Sequence, residues 1–323
     1  VDSPPNAFNE VLPGCAAQDP ELFHIREMVI THVGLERGAV VDLEYTLETK
    51  AGFLPGLCGL ITTGGRSPIE KMEVIAKIPS AMNLSYNTDF KPALTGSDNQ
   101  KIYTWIIENI DLVPDEADQP PLEEFLPFIS FSTLQEGDSE KHIFSDENLF
   151  SLNDKAKQKI LEITGKIPGA LEKAIALNDY VRSSFNLSEC DLRYSGYKPS
   201  PAGYTFKTAS GTKLDRAVLL KAFLEAEGIE CEIDLPAERS IKGFENILCY
   251  HSPVVVFEID GILYYLDPNE KQHTIFAGSL KERGSLRNLF QRAGSTMPDK
   301  LFQIFMGEIT EENEIKASVF LKL

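Results

Sequence analysis

The sequence predicts an α+β protein, with a β-rich N-terminal half followed by a helical half that carries a small antiparallel sheet. In the first part, runs of alternating apolar and polar residues recur with turn signals between them, whereas helical spacing begins at Asp154. The second observation is the stretch from Thr212 to Gly228, which predicts a helix that is apolar around almost its whole circumference. Such a helix must be buried inside a domain.

The N-terminal half is predicted to be a β-sandwich-like domain. Its candidate strands are His24–Ile30, Ala39–Leu47, Lys71–Ile78, Lys101–Ile110 and Phe128–Ser132. We expect Trp105 to lie in the core of this domain. Residues 52–65, rich in Gly, Leu and Thr, are predicted to form a loop or an irregular edge, and they lack the Lys-Ser/Thr pair of a phosphate-binding loop.

The helical half is organised around the buried helix. Thr212 is the expected N-cap, Asp215 completes a capping box, and Gly228 ends the helix. Two helices precede it, and an aromatic, turn-rich segment at residues 187–207 leads into it. The other predicted elements are helices at Asp154–Thr164, Leu171–Ser184, Lys281–Ala293 and Asp299–Met306, and strands at Cys231–Leu235, Val254–Ile259 and Ile262–Leu266. Asp260-Gly261 is a two-residue hairpin signal between the last two strands.

These elements predict four segments. They are a β-sandwich-like domain at 1–134, whose own beginning is missing, a linker at 135–153, an α+β domain at 154–308 and the start of a further β-segment at 309–323. Because the chain starts at Val1 without a signal peptide, we expect a processed chain or a fragment.

Composition excludes some classes of partner. A formal net charge of -18 argues against nucleic acid and anionic membrane surfaces, and no apolar run is long enough to span a bilayer. The five cysteines never occur as C-x-x-C, so a zinc site is not predicted, and their odd number leaves at least one free thiol. We expect no metal and no cofactor.

Residues 171–268 resemble the core of bacterial transglutaminase-like proteins of the papain-like superfamily. The residues that carry this resemblance are Tyr180-Val181, Gly211-x-x-x-Asp215-x-Ala217-x-Leu219-Leu220, Ala226-x-Gly228-Ile229, Asp260-Gly261 and Leu266-Asp267-Pro268. The preceding part resembles the β-domain of unknown function found before such cores in secreted or envelope proteins of bacteria. Its marks are Arg26-Glu27-Met28-Val29, the strand from Gly38 to Tyr45, Trp105 and Pro127-Phe128-Ile129-x-Phe131-Ser132.

The resemblance implies a catalytic triad that this chain does not retain. In the family a cysteine begins the buried helix, a histidine takes its proton and an aspartate orients the histidine. Here Lys213 occupies the cysteine position and Asp267 matches the aspartate. His251 lies near the histidine position but one residue early, so that strict counting places Ser252 there.

Structural, non-catalytic roles are favoured for these residues. Lys213 is read as a solvated residue of the first helical turn, Asp267 as a turn cap before Pro268, and His251 as a structural or surface residue. Cys249 is expected to be a buried thiol, on the same side of a strand as His251 and without a helix terminus to lower its pKa.

Three functions follow as hypotheses. The leading one is a catalytically inactive transglutaminase-like protein that binds or scaffolds in the periplasm or at the envelope of a bacterial cell, with a protein, peptide or glycan ligand. The second is a cysteine-peptidase, amidase or acyltransferase-like enzyme with a non-standard nucleophile. The third is a carbohydrate- or peptide-binding module. The candidate residues of the binding cleft are Tyr194, Tyr197, Tyr204, Thr212, Asp215, Cys249 and Ser252.

Overall fold

A computed structural model describes residues 5–18, 22–31, 36–37, 47–116, 119, 126–236, 244–250, 252–269, 275–279, 307–309 and 315–317. Within them the strands are β1 Phe8–Val11, β2 Glu27–Ile30, β3 Cys58–Thr62, β4 Ile69–Pro79, β5 Ser85–Asn87, β6 Ala93–Ser97, β7 Gln100–Ile110, β8 Phe128–Ser132, β9 Asn186–Leu187, β10 Ser210–Gly211, β11 Cys231–Asp234, β12 Val254–Ile259, β13 Ile262–Leu266, β14 Ile275–Ser279, β15 Gly307–Ile309 and β16 Ile315–Ala317. The α-helices are α1 Asp138–Ile143, α2 Asp154–Thr164, α3 Ala170–Ser184, α4 Ala202–Thr208 and α5 Lys213–Ala226.

The N-terminal half contains two three-stranded antiparallel sheets, with strand orders β3–β8–β5 and β4–β7–β6. Apolar side chains of both sheets meet in one core, in which the ring of Trp105 on β7 stacks on Phe131 of β8 with centroids 5.7 Å apart. Trp105 is therefore a core residue, as the sequence predicts. Two sheets that face each other across such a core form a sandwich.

A separate two-stranded sheet, β1 with β2, precedes the sandwich. The chain between its two strands contains Cys15, which forms a disulfide with Cys190 in the helical half. The bond joins residues 175 positions apart in the sequence, so it ties the N-terminal segment covalently to the second half of the protein.

The second half is built around α5, which is buried along nearly its whole length. It packs against α2, α3 and α4 and against β11 and β12 of an antiparallel sheet with order β11–β12–β13–β14. The bounds of α2, β12 and β13 are those predicted. In the turn between β12 and β13, Asp260 and Gly261 have φ angles of 53° and 78°, the left-handed pair that a tight hairpin requires. The predicted α+β fold, with a buried helix packed on an antiparallel sheet, is confirmed.

Residues 52–65 differ from their predicted loop, because they contain strand β3. Gly59 lies opposite Phe131 in the pairing of β3 with β8, and a side chain at this position would overlap the Phe131 ring. The glycine that suggested a loop is thus a strand residue that makes room for an aromatic ring.

The segment 135–153, predicted as a linker, contains helix α1 and contributes buried Ile143 and Leu149 to the cores of the protein. The domain boundaries themselves stay a prediction. The predicted helices at 281–293 and 299–306, nearly all of the strand at 39–47 and His251 lie outside the described residues. At the far end, β15 pairs with β16 in an antiparallel ladder. In the described part of the chain no helix has the length and apolarity needed to cross a membrane.

Candidate functional site

The N-terminus of α5 is held by a complete capping box. The hydroxyl of Thr212 accepts a hydrogen bond from the Asp215 backbone N–H at 3.3 Å, and the Asp215 carboxylate accepts from the Thr212 backbone N–H at 2.7 Å. The same carboxylate also accepts from the Thr212 hydroxyl at 2.9 Å and from the backbone N–H of Ser200 at 2.6 Å. Both side chains are buried. Thr212 and Asp215, predicted as cleft residues, thus serve the cap and the preceding turn.

Lys213 is the first residue of α5 and is half-buried. Its backbone oxygen accepts a hydrogen bond from the Asn269 side chain at 3.2 Å. The backbone N–H of Asn269 donates in turn to the Asp267 carboxylate at 2.7 Å. Lys213 and Asp267, two of the predicted triad positions, are thereby brought to the same end of the fold, with Asn269 between them.

The ammonium group of Lys213 has no carboxylate within 4.0 Å among the residues that the structure describes. The third predicted position, His251, lies outside the described residues, and Ser252 after it is half-buried. The described geometry therefore links the backbone of Lys213 to Asp267 through Asn269.

The three tyrosines of the aromatic segment occupy different environments. Tyr197 is 1% exposed, packs in a cluster with Leu192 and Leu214, and its burial raises the pKa of its hydroxyl far above the ordinary value. Tyr194 is 48% exposed, and Tyr204 is half-buried on α4. Tyr197 thus packs in the core, whereas Tyr194 presents its ring to solvent.

None of the free cysteines with a shifted pKa has the environment of a nucleophile. Burial raises the pKa of Cys58, although a hydrogen bond with the Ser132 hydroxyl at 3.5 Å lowers it in part. Burial also raises the pKa of Cys231 to about 12. A catalytic cysteine requires the opposite shift, because the thiolate is the nucleophile.

Cys249 lies in a short 3-10 turn, Ile247–Cys249, and is 2% exposed. Its predicted place on a strand beside His251 is wrong, since the next strand, β12, begins only at Val254. The apolar run after residue 253 supplies that strand, whereas Asn246 caps the turn before it by accepting from the Leu248 N–H at 3.1 Å. The expectation that Cys249 is a buried thiol is confirmed.

Sequence reasoning missed a buried arginine next to this region. Arg216, on the first turns of α5, is 3% exposed and donates from Nη2 to the Val181 carbonyl oxygen at 3.2 Å, while its Nε has no hydrogen-bond partner in the described part of the protein. Burial lowers the pKa of Arg216, and the charges of Asp267 and Glu189 raise it in part. The sequence did contain a signal for it, namely an arginine within a helix that is apolar around almost its whole circumference.

Within the described ranges, no cluster of three or more histidine, cysteine, aspartate or glutamate side chains has the arrangement of a metal site. What the site offers chemically is an amine at a helix N-terminus and a carboxylate that borders the same end of the helix.

Comparison with known proteins places the fold of this chain. The family model of DUF3857, a domain of unknown function with a solved structure, matches residues 1–114. No curated protein matches. A solved structure described as a "putative protease" from Parabacteroides distasonis superposes with a TM-score of 0.71 at 24% identity, over 86% of this chain and 57% of that chain.

A second structure, a "putative cysteine protease" from Cytophaga hutchinsonii, has 11% identity over 69% of this chain and 89% of that one. Its TM-score of 0.30 does not indicate a shared fold. The chain thus spans little more than half of the Parabacteroides chain. Residues 1–114 are similar to the DUF3857 family, and the chain shares the overall fold of the Parabacteroides structure.

Proposed function

We propose that this protein is a transglutaminase-like protein without cysteine catalysis, which binds or scaffolds a protein, peptide or glycan at a bacterial cell envelope. The observation that carries the proposal is Lys213 at the first position of the buried helix α5. In the family that residues 171–268 resemble, this position holds the nucleophilic cysteine, and here it holds an amine.

Electrostatics supports the proposal. The N-terminus of a helix carries partial positive charge, which stabilises a thiolate and disfavours an ammonium group. A lysine nucleophile must be neutral, which requires burial or a nearby cation to lower its pKa strongly. Lys213 is half-buried, and its amine occupies the helix N-terminus that would otherwise stabilise a thiolate.

The remaining thiols also support it. Cys190 is bonded to Cys15, while Cys58 and Cys231 have raised pKa values. The disulfide leaves Cys15 and Cys190 without a free thiol, burial disfavours the thiolates of Cys58 and Cys231, and Cys249 is buried.

The disulfide is the observation that favours the envelope. Disulfides form and persist in oxidising compartments such as the bacterial periplasm and are rare in the cytosol. The bond between Cys15 and Cys190 suits such a location, which we include in the proposal.

A transamidation and peptide-hydrolysis assay tests the proposal. The purified protein is incubated with glutamine-containing peptides and an amine probe, in parallel with the Lys213→Ala variant. We expect background signal from both proteins. Turnover by the wild-type protein that Lys213→Ala abolishes contradicts the proposal and favours an enzyme with a non-standard nucleophile, which the fold shared with the "putative protease" brings forward as the second candidate.

A binding module for sugars or extended peptides is the third candidate, and the exposed ring of Tyr194 favours it. Aromatic rings that reach solvent are common contacts for such ligands. A glycan and peptide array compares the wild type with Tyr194→Ala. Binding that the substitution removes supports this function, and equal binding by both proteins excludes Tyr194 as the contact.

A further inference from the structure

The loop Phe244–Tyr250 contacts both halves of the protein and ends one residue before His251. In the sequence it lies between β11 and β12, and so it belongs to the second half of the protein. Two of its side chains, Glu245 and Asn246, nevertheless form hydrogen bonds with segments more than a hundred positions earlier.

Asn246 makes the contact with the β-sandwich. The side chain is 2% exposed, and its Nδ2 donates to the Gly59 carbonyl oxygen at 2.9 Å, to the Ser130 hydroxyl at 2.9 Å and, in a longer shared contact, to the Phe131 carbonyl oxygen at 3.3 Å. These acceptors belong to β3 and β8, two paired strands of the sandwich. An amide nitrogen surrounded by three acceptors is fully used, so the contact is specific for a side chain that donates.

The other end of the same amide shapes the loop itself. Oδ1 of Asn246 accepts from the Leu248 backbone N–H at 3.1 Å and so caps the turn Ile247–Cys249. One side chain thus performs two separable tasks, a local one through its oxygen and a cross-domain one through its nitrogen.

Neighbouring residues strengthen the attachment. The carboxylate of Glu245 accepts from the backbone N–H groups of Gly137 at 2.6 Å and Ser139 at 3.0 Å, at the start of α1. Ile247 is buried in the cluster that contains Tyr197 and Leu214, and Cys58 of β3 packs against the same cluster. The loop is therefore fastened to the sandwich, to α1 and to the start of α5.

We propose that Asn246 is a positioning residue that fixes the loop Phe244–Tyr250 to the β-sandwich and thereby fixes the chain that leads into β12, the first strand of the hairpin that ends before Asp267. The β-sandwich is then a structural part of the candidate site, whose geometry it sets from outside the helical half. This holds whether or not the site is catalytic, so it does not depend on the proposed function.

Two substitutions of Asn246 separate its tasks. Asn246→Asp keeps an oxygen for the Leu248 N–H but faces a carboxylate towards the Gly59 and Phe131 carbonyl oxygens, to which it cannot donate. It can accept at most one hydrogen bond, from the Ser130 hydroxyl, so it removes the cross-domain contacts to backbone oxygens and leaves the turn cap in place. Asn246→Ala removes both tasks. Asn148→Ala is the matched control, because Asn148 is exposed and its side chain has no hydrogen bond among the described residues.

Amide hydrogen exchange and NMR spectra of the full chain measure the effect of each substitution. We expect the amides of Leu248, Cys249 and Tyr250 to exchange about tenfold faster in both Asn246 variants, since a lost buried hydrogen bond is worth about that factor, while the amides of α2 keep their wild-type rates. The amide signals of Val254 and Val255, at the start of β12, should shift in both variants and stay unchanged in Asn148→Ala.

Wild-type exchange in Asn246→Asp, with or without an effect of Asn246→Ala, overturns the proposal, because the turn alone then holds the loop. If Asn246→Ala does not fold, Asn246→Asp decides by the same two readouts. Unchanged Val254 and Val255 signals in a folded Asn246→Asp variant also overturn it.

Discussion

Asn269 donates its side-chain N–H to the backbone oxygen of Lys213 at 3.2 Å and so links the end of the β12–β13 hairpin to the first residue of the buried helix. The same residue donates its backbone N–H to Asp267 at 2.7 Å. Two elements that are more than fifty residues apart in the sequence thus share one polar junction, at the point where the family resemblance places a catalytic centre.

Removal of the Asn269 side chain should loosen this junction. We expect Asn269→Ala to lower the free energy of unfolding by about 1 kcal/mol, the usual value of a partly buried hydrogen bond. Urea unfolding measures the change, with Asn148→Ala as the exposed control. An equal effect of the two substitutions contradicts a role for the contact.

The cap of α5 predicts a difference between two substitutions of Thr212. Thr212→Ser keeps the hydroxyl that accepts from the Asp215 N–H, so we expect stability close to that of the wild type. Thr212→Ala removes it and should cost about 1 kcal/mol. Thermal unfolding of the three proteins checks this order, and equal melting temperatures for Ser and Ala contradict it.

A cysteine restored at the helix N-terminus should be reactive. In Lys213→Cys we expect the new thiol to react with iodoacetamide at pH 7 about ten times faster than Cys58, because the helix N-terminus lowers a thiol pKa whereas burial raises that of Cys58. Mass spectrometry of labelled peptides over time gives both rates. A thiol at position 213 that reacts as slowly as Cys58 speaks against a nucleophile position there.

The buried thiol of Cys231 predicts a loss of stability at alkaline pH. The folded protein holds its pKa at about 12, above the ordinary value of 9.0, so the unfolded chain releases this proton first as the pH rises. The stabilisation is complete below pH 9.0 and is lost progressively between 9.0 and about 12.

Urea unfolding at pH 8 and pH 10 measures this effect. We expect the wild type to lose about 1 kcal/mol more than Cys231→Ala between the two values, since one pKa unit corresponds to about 1.4 kcal/mol. Identical pH dependence in both proteins removes Cys231 as the cause.

The disulfide predicts both a count and a stability. Alkylation of the denatured, unreduced protein should label Cys58, Cys231 and Cys249 only, and reduction should add Cys15 and Cys190. The double variant Cys15→Ser, Cys190→Ser should lose about 2–4 kcal/mol of stability, the usual contribution of a bond that closes a long loop. Five labelled cysteines without reduction mean that the bond is not formed.

Local patterns were sufficient where the determinants of structure are close in sequence. The period of the apolar residues located α2, β12 and β13 to the residue, and Thr212, Asp215 and Gly228 marked the limits of α5. Each of these features depends on hydrogen bonds or side-chain directions within a few residues, which a single sequence displays directly.

The sequence by itself determined the α+β class, the buried helix and the presence of an amine at its first position. Only the tertiary structure decided that Cys15 joins Cys190, that Gly59 lies in a strand beneath Phe131, and that Asn246 reaches into the β-sandwich. It also placed Tyr197 in the core and Tyr194 at the surface. These contacts join residues far apart along the chain, and a pairing of that kind is selected by the packing of whole elements against one another, which no local pattern records.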